Sequence, residues 1–138
     1  MVADWKRSIG IKMKKLLYPS QETIERLTTE LNLKGTGEYT QDWEYEVADV
    51  NQLLNYIQFY KNGELNLNEK TTLMRIILEV YNDYVSLGGN EDVYRKSIEE
   101  ILRKDYFIHK ATIIYWSCGN EDLSDCFAIS SFIRQFRK

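Results

Sequence analysis

Residues 68–89, with the sequence NEKTTLMRIILEVYNDYVSLGG, carry the clearest helical periodicity of the chain and decide its fold. Their apolar side chains recur at steps of three and four, so they share one face of a helix. These side chains are Leu73, Ile76, Ile77, Val80, Tyr84 and Leu87. Asn68 is predicted to cap the first turn, and Gly88-Gly89 to end the last one. The segment therefore predicts one long amphipathic helix.

Three shorter helices are predicted before this segment. The first has an apolar stripe and ends at Pro19. The stripe consists of Trp5, Ile9, Met13 and Leu16. The second helix is capped by Ser20, and Gly35 follows its last turn. The third begins at a capping box formed by Asp49 and Gln52 and ends at Gly63.

Three further helical segments are predicted after Gly89. Asn90 caps the first of them. Residues 105–117 are apolar almost all round, which fits a buried helix or a strand, and the length of the run favours the helix. Residues 129–136 form a last amphipathic segment that ends in basic residues. The sequence thus predicts a mainly α, single-domain bundle of about six or seven helices spanning residues 1–138.

One segment departs from the helical pattern. Residues 43–47, Trp43-Glu44-Tyr45-Glu46-Val47, alternate large apolar and acidic side chains. Alternation with a period of two is typical of a half-buried strand. We therefore expect one short strand or an ordered loop at this position.

The composition bounds the function. The chain has 138 residues, 43% hydrophobic and 28% charged, with one proline, as expected for a soluble globular domain. A formal net charge of -3 argues against nucleic-acid binding, which needs a surplus of Lys and Arg. No apolar run is long enough to span a membrane, and no signal-peptide pattern follows the basic N-terminus. We expect a cytoplasmic protein with no membrane partner and with Cys118 and Cys126 as reduced thiols.

The charge distribution points to a candidate partner-binding surface. No Lys or Arg lies between Lys34 and Lys61, although this interval holds five carboxylates and several aromatic residues. A negative surface with aromatic anchors would steer and hold a basic protein partner. The residues assigned to it are Asp42, Trp43, Glu44, Tyr45, Glu46 and Asp49. The alternative is that Trp43 and Tyr45 fill the core while the glutamates between them face water.

Residues suited to catalysis or metal binding are few. His109 is the only histidine, and Asp105 lies four residues before it, so both could share one helix face. A hydrogen-bonded histidine near the core explains the same spacing. Glu79 and Asp83, one helical turn apart, fit a solvated helix face better than a magnesium site. We therefore predict no catalytic residue, metal site or cofactor.

The chain resembles small acidic bacterial immunity proteins of polymorphic or contact-dependent toxin systems. The resemblance lies in its size and acidity and in three stretches. They are residues 42–49, the run from Leu73-Met74-Arg75-Ile76-Ile77 into Tyr81-Asn82-Asp83-Tyr84, and Tyr115-Trp116-Ser117. It implies a non-catalytic function, which is to bind a cognate toxin domain, often a basic nuclease, and cover its active site.

Two other functions remain open at this stage. The first is a small hydrolase or metal-dependent enzyme that uses His109 with Asp105. The second is a homo-oligomeric structural or regulatory module whose exposed Tyr and Phe side chains form a self-interface. The sequence leaves the oligomeric state and the identity of the partner open.

Overall fold

The computed structural model describes residues 18–34 and 43–137, which form a helical bundle without a β-strand. This confirms the mainly α fold. Seven α-helices lie in these two ranges, joined by short connections that include two 3₁₀ turns, Val50–Gln52 and Leu123–Asp125. The helices are α1 (Gln21–Leu31), α2 (Trp43–Val47), α3 (Leu53–Asn62), α4 (Leu67–Ser86), α5 (Asp92–Lys104), α6 (Tyr106–Ser117) and α7 (Ser130–Arg134). None of them is both long and apolar enough to cross a bilayer.

Helix α4 is the centre of the bundle. Every residue from 71 to 78 is buried, because α1, α2, α3 and α6 pack against this helix from different sides. A capping box begins it: the Asn66 side chain accepts from the Glu69 N–H at 2.8 Å, and the Glu69 carboxylate accepts from the Asn66 N–H at 2.9 Å. Asn68, the predicted cap, instead accepts a hydrogen bond from the Ser20 N–H. The long helix was thus predicted correctly, but its cap was not.

The strand expected at residues 43–47 is wrong, because this segment is helix α2. Trp43 and Val47 are buried, whereas Tyr45 and Glu46 are exposed. Residues four apart share one face of a helix, so a single helical turn places 43 and 47 inward. Over five residues, this pattern cannot be distinguished from alternation by sequence alone.

The other helix boundaries agree with the sequence in part. The predicted capping box of Asp49 and Gln52 is wrong, because α3 begins at Leu53 with no side-chain cap and Asp49 instead caps the preceding 3₁₀ turn. Ser20 caps α1 by accepting from the Thr23 N–H at 3.1 Å, as predicted. Helix α1 ends at Leu31, and the next residue, Asn32, is its C-cap and has a left-handed φ of 51°. The residues predicted to form the N-terminal helix, Trp5, Ile9, Met13 and Leu16, and the predicted end at Gly35, lie outside the described residues. Residues 106–117 form helix α6, so the choice of a helix for this apolar run is confirmed.

The expectation of reduced cysteines is wrong, because Cys118 and Cys126 form a disulfide with their Cα atoms 5.8 Å apart. Helix α6 ends where Cys118 adopts a left-handed φ of 65°, and Gly119 follows with a φ of 56°. The chain then turns back through the 3₁₀ turn at Leu123–Asp125. This reversal brings the two sulfur atoms together, and the spacing of the cysteines alone did not reveal it.

We expect Cys126→Ser to destabilise the oxidised protein by about 2.5 kcal/mol, since the bridge closes a short loop and restricts the unfolded chain. Urea unfolding followed by circular dichroism measures this loss. The control is unfolding in a dithiol reductant, where variant and wild type should have nearly equal stability. A variant as stable as oxidised wild type would contradict the expectation.

Candidate functional site

Helix α2 is attached to the core by one side. The Trp43 and Val47 side chains are 2% and 1% exposed and belong to the main hydrophobic cluster. Beside them, a Glu44 carboxylate oxygen lies 2.5 Å from an Arg75 guanidinium nitrogen on α4. The two side chains are 12% and 7% exposed, so this ion pair is nearly shielded from water. Buried apolar contacts and a buried ion pair therefore fix the orientation of α2.

The opposite side of α2 faces solvent. Tyr45 is 66% exposed, and Glu46 is exposed as well. Asp49 is partly buried and accepts a hydrogen bond from the Asn51 N–H at 3.0 Å, at the start of the 3₁₀ turn. Its other carboxylate oxygen lies 4.0 Å from the Lys34 ammonium nitrogen. The structure thus places the predicted partner-binding residues on two sides of α2, and Asp42 lies outside the described residues.

Two more carboxylates extend the acidic region along α4. Glu79 and Asp83 follow Arg75 by one and two helical turns, and neither forms an ion pair with the part of the chain that the structure describes. Burial, then the charges of Asp83 and Glu44, raise the pKa of Glu79 to about 7. Burial also raises the pKa of Asp83 and, together with Glu79, that of Tyr115 on α6. The region beneath α2 therefore holds two carboxyl groups whose charged form is disfavoured, and Glu79 is partly protonated at neutral pH.

A recess of about 390 Å³ lies between the end of α1 and the start of α3. Its lining includes Lys34, Asp49, Gln52 and Tyr56. Burial, followed by the charge of Asp49, raises the pKa of Tyr56 to about 12, so its hydroxyl stays protonated at neutral pH. The recess borders Asp49 and is large enough for one partner side chain.

A second polar network joins α3, α4 and α6. The Tyr60 hydroxyl donates to an Asp105 carboxylate oxygen at 2.6 Å and lies 2.7 Å from His109 Nε2. The Lys70 ammonium nitrogen lies 3.7 Å from the same Asp105 oxygen. Because the single hydroxyl proton of Tyr60 is donated to the carboxylate, His109 must carry its proton on Nε2 and donate a hydrogen bond to the Tyr60 oxygen. Asp105 and His109 are therefore linked through Tyr60 rather than directly.

His109 is completely buried and neutral. Burial lowers its pKa to about 4, although the Asp105 charge acts in the other direction. Its Nδ1 atom is buried and has no hydrogen-bond partner in the described structure. Burial and the hydrogen bond to Asp105 also raise the pKa of Tyr60. With its ring at 0% exposure, His109 holds the helices together and presents no face to a substrate.

No cluster of three or more His, Cys, Asp or Glu side chains able to hold a metal ion occurs in residues 18–34 and 43–137. No protein-family model, curated protein or solved structure matches the chain. The site must therefore be interpreted from its own geometry.

Sequence reasoning missed Arg75, Lys70 and Tyr60. Arg75 had a detectable signal, because it stands inside the apolar run from Leu73 to Leu78. A charged side chain in such a run must find a buried partner of opposite charge. Tyr60 lies at helical spacing from the apolar Leu53 and Ile57, and nothing in the sequence shows that its hydroxyl meets a residue 49 positions away.

We expect His109 to make the protein less stable as the pH falls. In the unfolded chain His109 titrates near pH 6.5, but in the folded protein its pKa is about 4. The free energy of unfolding is therefore unaffected by His109 above pH 6.5 and decreases as the pH falls from 6.5 to 4. The decrease amounts to up to about 3 kcal/mol, at 1.36 kcal/mol per unit of pKa difference. Chemical denaturation of wild type and His109→Gln from pH 7.5 to 4 measures this difference.

The control is Glu79→Gln, because a fall in pH changes the free energy of unfolding in the opposite direction through Glu79. Its folded pKa of about 7 is raised from 4.5, so its contribution increases stability as the pH falls from 7 to 4.5. This substitution should leave the His109 difference unchanged. If the free energy of unfolding has the same pH dependence in wild type and His109→Gln, the pKa of His109 is not lowered in the folded protein.

Proposed function

We propose that this chain is a non-catalytic bacterial immunity protein that binds and neutralises a cognate basic toxin domain. The observation that supports this is the exposure of Tyr45 and Glu46 on a helix whose other side is fixed by Trp43 and by the Glu44 ion pair to Arg75. We define the candidate binding surface as Tyr45, Glu46 and Asp49.

The geometry suits rapid and lasting capture of a basic partner. Acidic side chains raise the association rate with a positive surface, and an aromatic side chain buried on binding slows dissociation. Since α2 is already attached to the core, little ordering of this segment is needed on binding. Trp43 and Glu44 support the surface from behind instead of contacting the partner.

The proposed compartment is the cytoplasm, where an immunity protein meets a toxin before it acts. The disulfide bears on this proposal, because cytoplasmic disulfides are rare and are mostly transient or redox-sensing. In the cytoplasm, cellular thiols would reduce an accessible disulfide, so a Cys118–Cys126 bond in that compartment is expected to be transient.

One observation favours self-association as a second candidate function. Phe107 on α6 is 87% exposed, and Ile114, two helical turns further on, is 44% exposed. Lys110 lies between them and is also exposed. In a two-fold interface this patch would bring the Lys110 side chains of both copies close together, and like charges repel. The acidic surface on α2 is therefore the better-supported docking site.

The test is binding to the toxin domain encoded by the adjacent gene, measured by surface plasmon resonance at low and high salt. We expect Glu46→Lys to lower the association rate about tenfold at low salt, because it reverses a steering charge. We expect Tyr45→Ala to raise the dissociation rate about thirtyfold, the effect of losing about 2 kcal/mol at a buried aromatic contact.

The matched controls are Phe107→Ala and Lys110→Glu, which change an exposed aromatic residue and a charge on α6. Both should bind as wild type does. Absence of binding at low salt would overturn the proposed function. Binding that is weakened by the α6 variants but not by the α2 variants would place the interface on α6.

A further inference from the structure

The carbonyl groups at the end of α6 are held by the C-terminal segment, residues 127–137. Arg134 donates from Nε to the Ser117 carbonyl at 2.8 Å and from Nη2 to the Glu121 carbonyl at 2.6 Å. Arg137 donates to the Gly119 carbonyl at 2.7 Å. The last carbonyl groups of a helix have no partner within it, and Arg134 satisfies that of Ser117; the other two bonds hold carbonyl groups of the turn that follows α6.

Ser130 adds a buried connection to the same helix end. Its hydroxyl donates to the Trp116 carbonyl at 2.8 Å and accepts from the Phe127 N–H at 3.1 Å. The C-terminal segment therefore forms hydrogen bonds that depend on the backbone conformation of residues 116–121. This conformation includes two successive left-handed residues, Cys118 and Gly119, and the disulfide holds the first of them.

The two sulfur atoms differ in accessibility and in electrostatic environment. Cys118 is completely buried, whereas Cys126 is partly exposed as a residue, so a thiol would approach the bond from the Cys126 side. Arg134 Nη2 lies 3.5 Å from the Cys126 sulfur. A guanidinium at this distance stabilises the thiolate that reduction produces. After reduction the segment opens more often, but the hydrogen bonds of Arg134 and Arg137 still favour its closed arrangement, in which the two thiols can meet and form the bond again.

We infer that Cys118 and Cys126 form a reversible thiol–disulfide site whose substrate is a small or protein dithiol, and that the oxidised form secures the C-terminal segment on the end of α6. This inference is independent of the toxin-binding function. The redox reaction takes place at the C-terminal end of the bundle and does not involve the candidate binding surface on α2.

The reaction balances with a dithiol as the reductant. One of its thiolates attacks the Cys126 sulfur, and the electron pair of the broken S–S bond leaves on Cys118, which is protonated as the segment opens to water, while the proton of the second reductant thiol is released to solvent. The second reductant thiol then attacks the mixed disulfide and releases Cys126 as a thiolate beside Arg134. Two electrons pass to the protein, and the reductant becomes a disulfide.

The test is to equilibrate the full chain without oxygen in dithiothreitol and glutathione buffers of varied reduced-to-oxidised ratio. Free thiols are then alkylated and counted by mass spectrometry. We expect two free thiols to appear together as the ratio rises, and the disulfide to return when the ratio is lowered. Two free thiols in excess oxidised glutathione would overturn the inference, since no bond then forms. A bond that persists in 10 mM reduced dithiothreitol would also overturn it, since the bridge is then closed to a dithiol.

Hydrogen exchange of the reduced and oxidised forms tests the structural half of the inference. We expect reduction to accelerate amide exchange in residues 127–137 by roughly tenfold or more, with little change in α3. The variant Cys118→Ser/Cys126→Ser should show the fast exchange in both buffers and is the matched control. Equal exchange in the two forms would show that the disulfide does not secure this segment.

Discussion

The ion pair between Glu44 and Arg75 is the interaction on which the candidate surface depends. Arg75 belongs to the central helix, and its neighbours Met74 and Ile76 are completely buried. A charge at such a position is costly unless a partner of opposite charge and hydrogen bonds compensate for the lost water. Glu44 supplies the opposite charge from α2, so the core determines which side of α2 turns inward. Tyr45 and Glu46 are exposed as a consequence.

The sequence predicted the helices much better than it predicted the polar contacts. Amphipathic periodicity over many residues identified α4, because a repeated apolar stripe has few alternative explanations, whereas α6 was predicted from the length of its apolar run. Residues 43–47 were too few for this, and one helical turn was taken for alternation. The cap of α4 shifted from Asn68 to Asn66 because the reciprocal bond with Glu69 decided it. Such choices depend on single hydrogen bonds, which a pattern does not contain.

The candidate surface could be predicted only in part for the same reason. The charge pattern identified the acidic and aromatic segment, but it could not assign each side chain to a face. Trp43 and Glu44 face the core, whereas Tyr45 and Glu46 face water. The expectation that Trp43 and Tyr45 both fill the core while both glutamates face water is therefore right only for Trp43 and Glu46. The disulfide and the Tyr60 network join residues through tertiary contacts, which one sequence cannot show.

A double-mutant cycle on Glu44→Gln and Arg75→Met tests the central claim most directly. The free energy of unfolding of both single variants, the double variant and wild type gives the coupling between the two side chains. A buried ion pair that fixes α2 should give a coupling of about 2 kcal/mol, with the double variant more stable than the sum of the single losses predicts. A coupling near zero would show that Arg75 does not hold α2, and that the exposure of Tyr45 and Glu46 has another cause.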